Sequence, residues 1–243
     1  MKNNKTGYVY NNIVQLNDAD TSRKFIANVF MWMFVALGIS ALSAYVFANT
    51  PALLQLLIDG NTRQLTTLAY VVMFSPLAFV MLISFGLNRI SYPVLSMLFI
   101  AYAAVTGISL SFILLAFTAS SVLGVFLTTS VVFGVMAVAG YTTNQDLTKF
   151  GSLLMMFLVG IIVATIVNFF LHSSGLDMLI SYIGVAVFVG LTAYDVQRLK
   201  NIGAGLEYGD ASASKMALMG GLTLYLDFIN LFLMLLRIFG RRR

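Results

Sequence analysis

The chain has 243 residues, of which 60% are hydrophobic and only 9% charged, with a mean hydropathy of +0.93 and a formal net charge of +5. A soluble domain carries about 25% charged residues, so this composition excludes a soluble catalytic domain and favours a protein whose surface contacts lipid. The lack of cysteine and the single histidine, His172, exclude disulfides, thiolate catalysis and His- or Cys-rich metal sites.

Seven apolar runs are long enough to cross the hydrocarbon core, which takes about 20 helical residues. They cover residues 25–48, 66–87, 93–115, 120–141, 151–171, 178–199 and 216–239. The predicted fold is an all-α polytopic membrane protein, a seven-transmembrane helix bundle. Residues 1–24 form a polar cytoplasmic N-terminal tail, 25–239 a single transmembrane domain, and 240–243 a basic C-terminal tail. Residues 50–65 mix leucine with charge, which predicts a segment along the membrane interface.

Basic residues predict the orientation, because cytoplasmic segments collect Lys and Arg. A cytoplasmic N-terminus places nine of them inside and only Arg63 outside. The inside set is Lys2, Lys5, Arg23, Lys24, Arg89, Lys149, Arg198, Lys200 and Lys215. Seven spans leave Arg237 and the arginines at 241–243 outside, against this bias. We still predict seven spans, because residues 216–239 can cross; a last segment that does not fully cross is the alternative.

Small residues four apart predict close helix packing in lipid. Three such pairs occur within the spans: Gly107 with Ser111, Gly160 with Ala164, and Ala186 with Gly190. Pro76 stands inside the second span and removes the hydrogen bond to the Val72 carbonyl, which predicts a kink.

Ionisable residues within a span are expensive and indicate function. Among the acids only Asp195, in the sixth span, and Asp227, in the seventh, qualify. The two spans are consecutive and antiparallel, which predicts that they are neighbours. Thr223, Asp227 and Asn230 stand four and three residues apart and form a polar stripe that must face the bundle interior.

Asp195 and Asp227 are expected to lie within hydrogen-bond reach, at about 2.5–3 Å between oxygens. Two carboxyls in low dielectric cannot both ionise cheaply, so one should hold a proton and the pair should titrate as a unit. The pair could act as a proton-controlled latch with transient cation contact, or remain a structural pair without a role. Arg89, at the inner end of the second span, could reach a carboxylate or simply snorkel to the interface. His172 is expected at the outer interface.

Four stretches of the sequence together match the motifs of a known protein family. They are Phe-Gly-Leu-Asn-Arg at 85–89, Gly-Tyr-Thr-Thr with Asp-Leu within 140–147, Tyr-Asp-x-Gln within 190–197, and Leu-Asp-x-x-Asn within 222–232. In this combination the chain resembles the bacterial branch of the Bax inhibitor-1 family, also called the transmembrane Bax inhibitor motif family. The likeness covers nearly the whole chain beyond the N-terminal tail.

The resemblance implies a pH-sensitive calcium leak channel in the bacterial inner membrane, with six helices around a central seventh. It implies that Asp195 and Asp227 form a proton-sensing pair whose deprotonation opens the pore. It also implies an arginine latch for Asp195, for which Arg89 is the best match. The expected partners are the lipid bilayer and permeant cations and protons; no cofactor or nucleic acid is expected, and the resemblance names no protein partner for this chain.

Three other functions stay open from the sequence. Tyr194-Asp195 and Asp227 also fit an intramembrane aspartyl protease, although no Gly-x-Gly precedes Asp227. A proton-coupled transporter would use the same pair to carry its proton, but no interrupted helices in matching halves support it. A membrane scaffold or regulatory protein would leave both carboxyls unexplained. The leak channel, which is not an enzyme, is the preferred prediction.

Overall fold

The computed structural model describes residues 5–60, 62, 64–86, 89–205 and 211–243, and side chains from Thr21 onward apart from that of Ala211. Eight helices lie within these residues: α1 Lys5–Asn49, α2 Pro51–Leu57, α3 Thr67–Gly86, α4 Tyr92–Ala116, α5 Ala119–Thr142, α6 Thr148–Leu171, α7 Ser174–Ala204 and α8 Ala211–Phe239. All but α2 are long and apolar enough to span a membrane. The predicted seven-span helical bundle is therefore confirmed.

The helix boundaries follow local signals that hydropathy misses. Pro93 lies in the first turn of α4, where a missing N–H costs nothing. His172 ends α6 in the left-handed region, with φ 51°, and the Ser173 side chain then accepts a hydrogen bond from the Leu176 N–H to cap α7. His172 thus lies at an exposed turn and makes a sharp reversal between two spans. Its predicted place at the outer interface stays a prediction.

The N-terminal boundary is the largest difference from the predicted elements. The backbone of residues 5–24, predicted as a polar tail, continues directly into the first span as part of α1. Helical hydrogen bonds satisfy the backbone whatever the side chains are, so low hydropathy does not prevent a helix here. Lys2 lies outside the described residues, as do Arg63, Leu87, Asn88, Glu207 and Asp210; the side chains of Lys5, Asp18 and Asp20 are likewise not described.

The seventh span, α8, is the most buried helix of the bundle. It packs against α1, α4, α5 and α7, whereas α3 packs mainly against α4 and α6 against α7. The expectation of a central seventh helix is met, but the ring around it consists mainly of four helices, with α3 and α6 in an outer layer. Their exposed apolar side chains, such as Phe74 and Phe157, suit contact with lipid.

The described residues among 50–65 connect α1 to α3. Helix α2 buries Leu57 completely against Ala69 and Val72. Ile58 and Leu65 then pair as an antiparallel bridge, and the Asp59 N–H donates to the Gln64 carbonyl at 2.9 Å. The predicted location of this segment along the membrane interface stays a prediction.

The predicted packing signals have mixed outcomes. An added Cβ on Gly107 would lie 2.4 Å from the Ser40 carbonyl, so α1 and α4 do approach closely there. Gly190 packs under Leu154 of α6, but a Cβ on Gly160 would meet nothing within 4 Å. The Gly160 prediction is therefore wrong, because that residue lies on the outer face of α6. At Pro76 the freed Val72 carbonyl accepts a hydrogen bond from the Ser75 hydroxyl at 3.1 Å.

The last helix crosses the whole bundle. Arg237, near its end, forms a 3.0 Å salt bridge with Asp177 in the first turn of α7. Beyond it, Arg242 pairs as an antiparallel bridge with Phe117 in the α4–α5 turn. Near the opposite end, the Ser22 hydroxyl donates to the Lys200 carbonyl at 3.3 Å. Thr21 and Arg243 therefore lie at opposite ends, which we call the N-terminal and C-terminal ends of the bundle.

Reporter fusions test this crossing. With the N-terminus in the cytoplasm, a reporter active only in the cytoplasm should be active before Met1 and silent after Arg243. A reporter active only outside should give the reverse pattern. Activity of the cytoplasmic reporter at both positions would contradict a complete last span.

Candidate functional site

Helices α7 and α8 pack antiparallel along their whole lengths and set the register of the candidate site. Leu199 packs on Gly220 toward the N-terminal end, and Met234 packs on Gly184 toward the C-terminal end. Asp195 and Asp227 fall between these two contacts. Asp227 lies near the middle of α8, and Asp195 lies nine residues from the end of α7.

The two carboxyl groups are buried and bonded to each other. Asp195 is 6% exposed and Asp227 5%, and their side chains are hydrogen-bonded across the α7–α8 interface. Two carboxylates offer no donor, so this bond requires one of them to carry a proton. Among the described residues, the Asp227 Oδ2 atom is one of the few buried polar atoms without a hydrogen-bond partner.

The positive charge that acts on Asp195 comes from its own helix. Arg198, one turn further along α7, is exposed and interacts electrostatically with Asp195. Arg89 does not meet the pair. It lies in the turn after α3, its backbone N–H donates to the Gly86 carbonyl at 2.9 Å, and its side chain is exposed. Helix α3 itself packs mainly against α4, and no hydrogen bond or ion pair joins the Arg89 side chain to the two aspartates among the described residues.

The other members of the predicted polar stripe bond to their own helix. The Thr223 hydroxyl donates to the Met219 carbonyl at 3.1 Å, and the Asn230 amide donates to the Leu226 carbonyl at 2.8 Å. Both side chains are half-buried. They therefore line the approaches to Asp227 along α8 without forming a hydrogen-bond chain to it.

A cavity of about 390 Å³ opens near the pair at the N-terminal end. Its lining residues are Thr148, Tyr194, Gln197, Arg198, Asn201 and Ile202. Neither aspartate lines it, so the carboxyl pair is closed off from this cavity in the conformation described.

Glycines let two helices approach α7 on either side of Asp195. A Cβ on Gly140 of α5 would lie 2.1 Å from the Ala193 carbonyl, and a Cβ on Gly151 of α6 would lie 2.2 Å from the Tyr194 ring. Distances this short leave no room for a side chain. Neither Gly140 nor Gly151 has another small residue four positions away, so the spacing rule did not identify them as packing positions.

A bulky residue at Gly140 should therefore destabilise the bundle. Gly140→Val is expected to lower the free energy of unfolding by about 1–3 kcal/mol, because it must separate α5 from α7. Gly160→Val, which points into open space, is the matched control. Thermal unfolding of the two variants in the same detergent compares them; equal midpoints would contradict the close approach.

The α5–α6 turn is bound to α7 beside the candidate site, a feature that sequence reasoning missed. The buried Gln197 side chain accepts from the Leu147 N–H at 2.9 Å and donates to the Gln145 carbonyl at 2.7 Å. Lys200 donates to the Tyr141 carbonyl at 2.8 Å. Gln197 is two residues after Asp195, so its amide lies on a different face of α7 from the carboxyl. A polar side chain on that second face of a membrane span was the sequence signal for another contact.

Asp146 stabilises the same turn at the start of α6. Hydrogen bonds from the side chain and the backbone N–H of Thr148, the latter at 2.9 Å, lower the pKa of Asp146. A lowered folded-state pKa adds stability above the unfolded value, about 3.9, and loses it as pH falls through the folded value. Asp146 therefore stays charged between about pH 5 and 8.

A second polar contact holds the other side of α8. The Ser40 hydroxyl donates to the Ala103 carbonyl at 2.7 Å, so its 2.7 Å contact with Tyr225 has the phenol as donor. Tyr102 packs edge-on to Tyr225, with ring centroids 5.7 Å apart. Tyr225, two residues before Asp227, thus ties α8 to α1 and α4, while Asp227 ties it to α7.

The described residues bring no three His, Cys, Asp or Glu side chains together. Calcium takes six to eight oxygen ligands, so the two aspartates alone fall short of a calcium-binding cage. The predicted transient cation contact at Asp195 and Asp227 stays a prediction.

Comparison with known proteins finds a matching family model and several related bacterial proteins. Residues 22–243 match the family model described as Inhibitor of apoptosis-promoting Bax1. Inner membrane protein YbhL of Escherichia coli K12 is 46% identical over 90% of this chain and 92% of its own length. A Borreliella burgdorferi protein is 43% identical over 90% of this chain and 93% of its own, and the Rickettsia prowazekii protein RP147 is 37% identical over 91% of each.

Proposed function

Because this chain belongs to the Bax inhibitor family of multi-pass membrane proteins, we propose that it is a pH-sensitive cation leak channel gated by Asp195 and Asp227. Calcium is the proposed permeant ion, and the bacterial inner membrane, with the N-terminus in the cytoplasm, is the proposed location. The single observation that carries the proposal is the buried, hydrogen-bonded carboxyl pair between two membrane-spanning helices.

A purely structural role explains this pair poorly. Replacing buried ionic groups by well-packed apolar residues is often neutral or stabilising, so packing alone gives no reason to keep two carboxyls there. Polar groups this deep in a membrane protein usually mark ion or proton pathways. The half-buried Thr223 and Asn230 extend the same polar stripe along α8.

The gate would work through the shared proton. With the proton present, the carboxyl–carboxyl hydrogen bond holds α7 against α8. Without it, two carboxylates face each other in a low dielectric, and separation, water entry or a cation must relieve their repulsion. All three routes favour an open, cation-permeable state, so the flux should rise with pH.

We propose Arg198 in place of Arg89 as the partner of the freed Asp195 carboxylate. Arg198 lies one turn away on the same helix and already acts on Asp195, whereas Arg89 is held in the α3–α4 turn. Arg198→Gln should therefore lower the flux at high pH, and Arg89→Gln should leave it unchanged. The reverse result would restore Arg89 as the latch.

An intramembrane aspartyl protease would use the same two aspartates, but it needs water at the pair. A cavity of about 390 Å³ beside the pair is lined by Tyr194, Gln197 and Arg198 among others and by neither aspartate. This geometry favours the gate over the protease.

Flux into liposomes tests the proposal. Purified full-length protein is reconstituted, and calcium and potassium entry are each measured from about pH 5 to 8. This range brackets the pH at which a buried carboxyl group loses its proton. Flux should rise with pH and be absent from protein-free liposomes. A pH-independent flux, or none for either cation, would overturn the channel.

A further inference from the structure

A long apolar groove runs along the lipid-facing side of the bundle between α1 and α5. Two of its sections, of about 400 and 370 Å³, share Leu37, Ala41 and Phe126 and are therefore continuous. Phe228 and Phe232 of α8 form the floor. The central helix is thus accessible from the side, and this feature is independent of the proposed gate.

Two glycines keep the groove open. Gly38 of α1 and Gly134 of α5 both line it, and a Cβ on either would meet nothing within 4 Å. The hydroxyl of Ser130, on the same wall, is satisfied by the Phe126 carbonyl of its own helix at 2.9 Å. The walls therefore favour an apolar occupant.

The length of the groove suits a hydrocarbon chain. From Phe30 to Tyr45 the groove follows α1 for fifteen residues, or about 22 Å at 1.5 Å per residue. One leaflet is about 15 Å deep, so the groove is long enough for one acyl chain.

The C-terminal end of the groove carries fixed positive charge. The Arg241 carbonyl accepts from the Thr118 N–H at 3.0 Å, and the Arg241 N–H donates to Ser121 at 2.9 Å. Arg242 lies over the Phe117 ring, 6.0 Å from its centroid. These contacts hold the tail on the α4–α5 turn, beside Ala119, which lines the groove.

The tail arginines at 241–243 are all exposed. The acidic side chains described at this end are Asp59 and Asp177, and Asp177 is paired with Arg237. Positive charge thus exceeds negative at the mouth of an apolar groove. The same arginines oppose the charge bias that orients the chain, so orientation does not explain them.

We propose that this groove binds an anionic phospholipid, with one acyl chain between α1 and α5 and the phosphate against the arginines at 241–243. The apolar walls exclude a free phosphate or a soluble peptide as the full ligand, because neither would fill the groove. A bound chain would pack against Phe228 and Phe232, the residues of the central helix that line the groove.

Native mass spectrometry of the full-length protein tests the site. The protein is titrated in detergent with phosphatidylglycerol and phosphatidylcholine of identical acyl chains. Phosphatidylglycerol should be retained about tenfold or more over phosphatidylcholine, since each basic residue near the surface contributes about 1 kcal/mol. Equal retention of the two lipids by the wild-type protein would overturn the proposal.

Matched variants separate the two parts of the site. The triple variant R241Q/R242Q/R243Q should lose the preference for phosphatidylglycerol, whereas R89Q, an exposed arginine at the other end, should keep it. Gly134→Leu should reduce retention of both lipids, whereas Gly160→Leu, also facing open space, should not. A triple variant that keeps the preference, or equal retention by the two glycine variants, would refute the site.

Discussion

Asparagine at position 195 or 227 is expected to remove most of the pH dependence of cation flux between about pH 5 and 8. The amide keeps the shape of the carboxyl and still hydrogen-bonds the remaining partner, but it has no proton to lose in this range. The α7–α8 bond would therefore no longer respond to pH. Flux into liposomes, measured for each single variant against wild type, gives the profile.

Two controls isolate the carboxyl pair in that measurement. Asp146→Asn removes an acid that stays charged throughout the range, and His172→Gln removes the single histidine of the sequence. Both should keep the wild-type profile. If both aspartate variants also keep it, the pair is not the sensor and a scaffold becomes the better explanation.

The absolute rate of cation flux should differ between Asp227→Asn and Asp227→Ala. Asp227→Ala leaves Asp195 without its hydrogen-bond partner, next to Arg198, and should raise flux at low pH relative to Asp227→Asn. The comparison uses the same liposomes at about pH 5, where the wild-type pair still shares its proton. Equal low-pH flux in the two variants would mean that the hydrogen bond does not hold the gate closed.

The spans could be predicted because lipid imposes one strong rule, an apolar helix of about 20 residues. Each predicted run corresponds to one helix, and apart from the start of α1 the ends agree to within about five residues. Hydropathy fails where that rule does not apply. Hydropathy does not predict the helical backbone of residues 5–24 or the extension of α7 to Ala204, because both lie beyond the apolar runs.

The pairing of Asp195 with Asp227 followed from two buried charges on consecutive helices, where the number of partners is small. The role of Arg89 stays a prediction, because the sequence places it only at one end of the bundle. Which helices contact each other at that end depends on the packing of α3 against α4, which no single-sequence pattern encodes. The same limit hid the bonds from Gln197 to the α5–α6 turn.

Small residues show the limit most clearly. Gly160 and Gly140 both stand in apolar spans, yet one faces open space and the other contacts the Ala193 carbonyl. Spacing of four identifies a possible seam on a helix without saying which partner covers it. Only the tertiary arrangement tells a packing glycine from one that leaves a groove, as Gly38 and Gly134 do.

A stability cycle on the same pair tests whether it ties the helices together. Asp195→Leu is expected to lower the free energy of unfolding by about 1–3 kcal/mol, because it leaves Asp227 buried without its partner. Asp227→Leu should do the same to Asp195. The double variant should recover much of the loss, because two apolar side chains can pack where the carboxyls met.

Thermal unfolding of the four proteins in one detergent at about pH 5, where the shared proton is retained, measures the coupling free energy. A positive interaction of about 1 kcal/mol or more is expected, since residues in direct contact are not additive. The matched pair Ser40→Ala and Asp227→Leu, on opposite sides of α8, should be nearly additive. Additive losses at Asp195 and Asp227 as well would mean that the two carboxyls do not hold α7 to α8, and the gate would lose its physical basis.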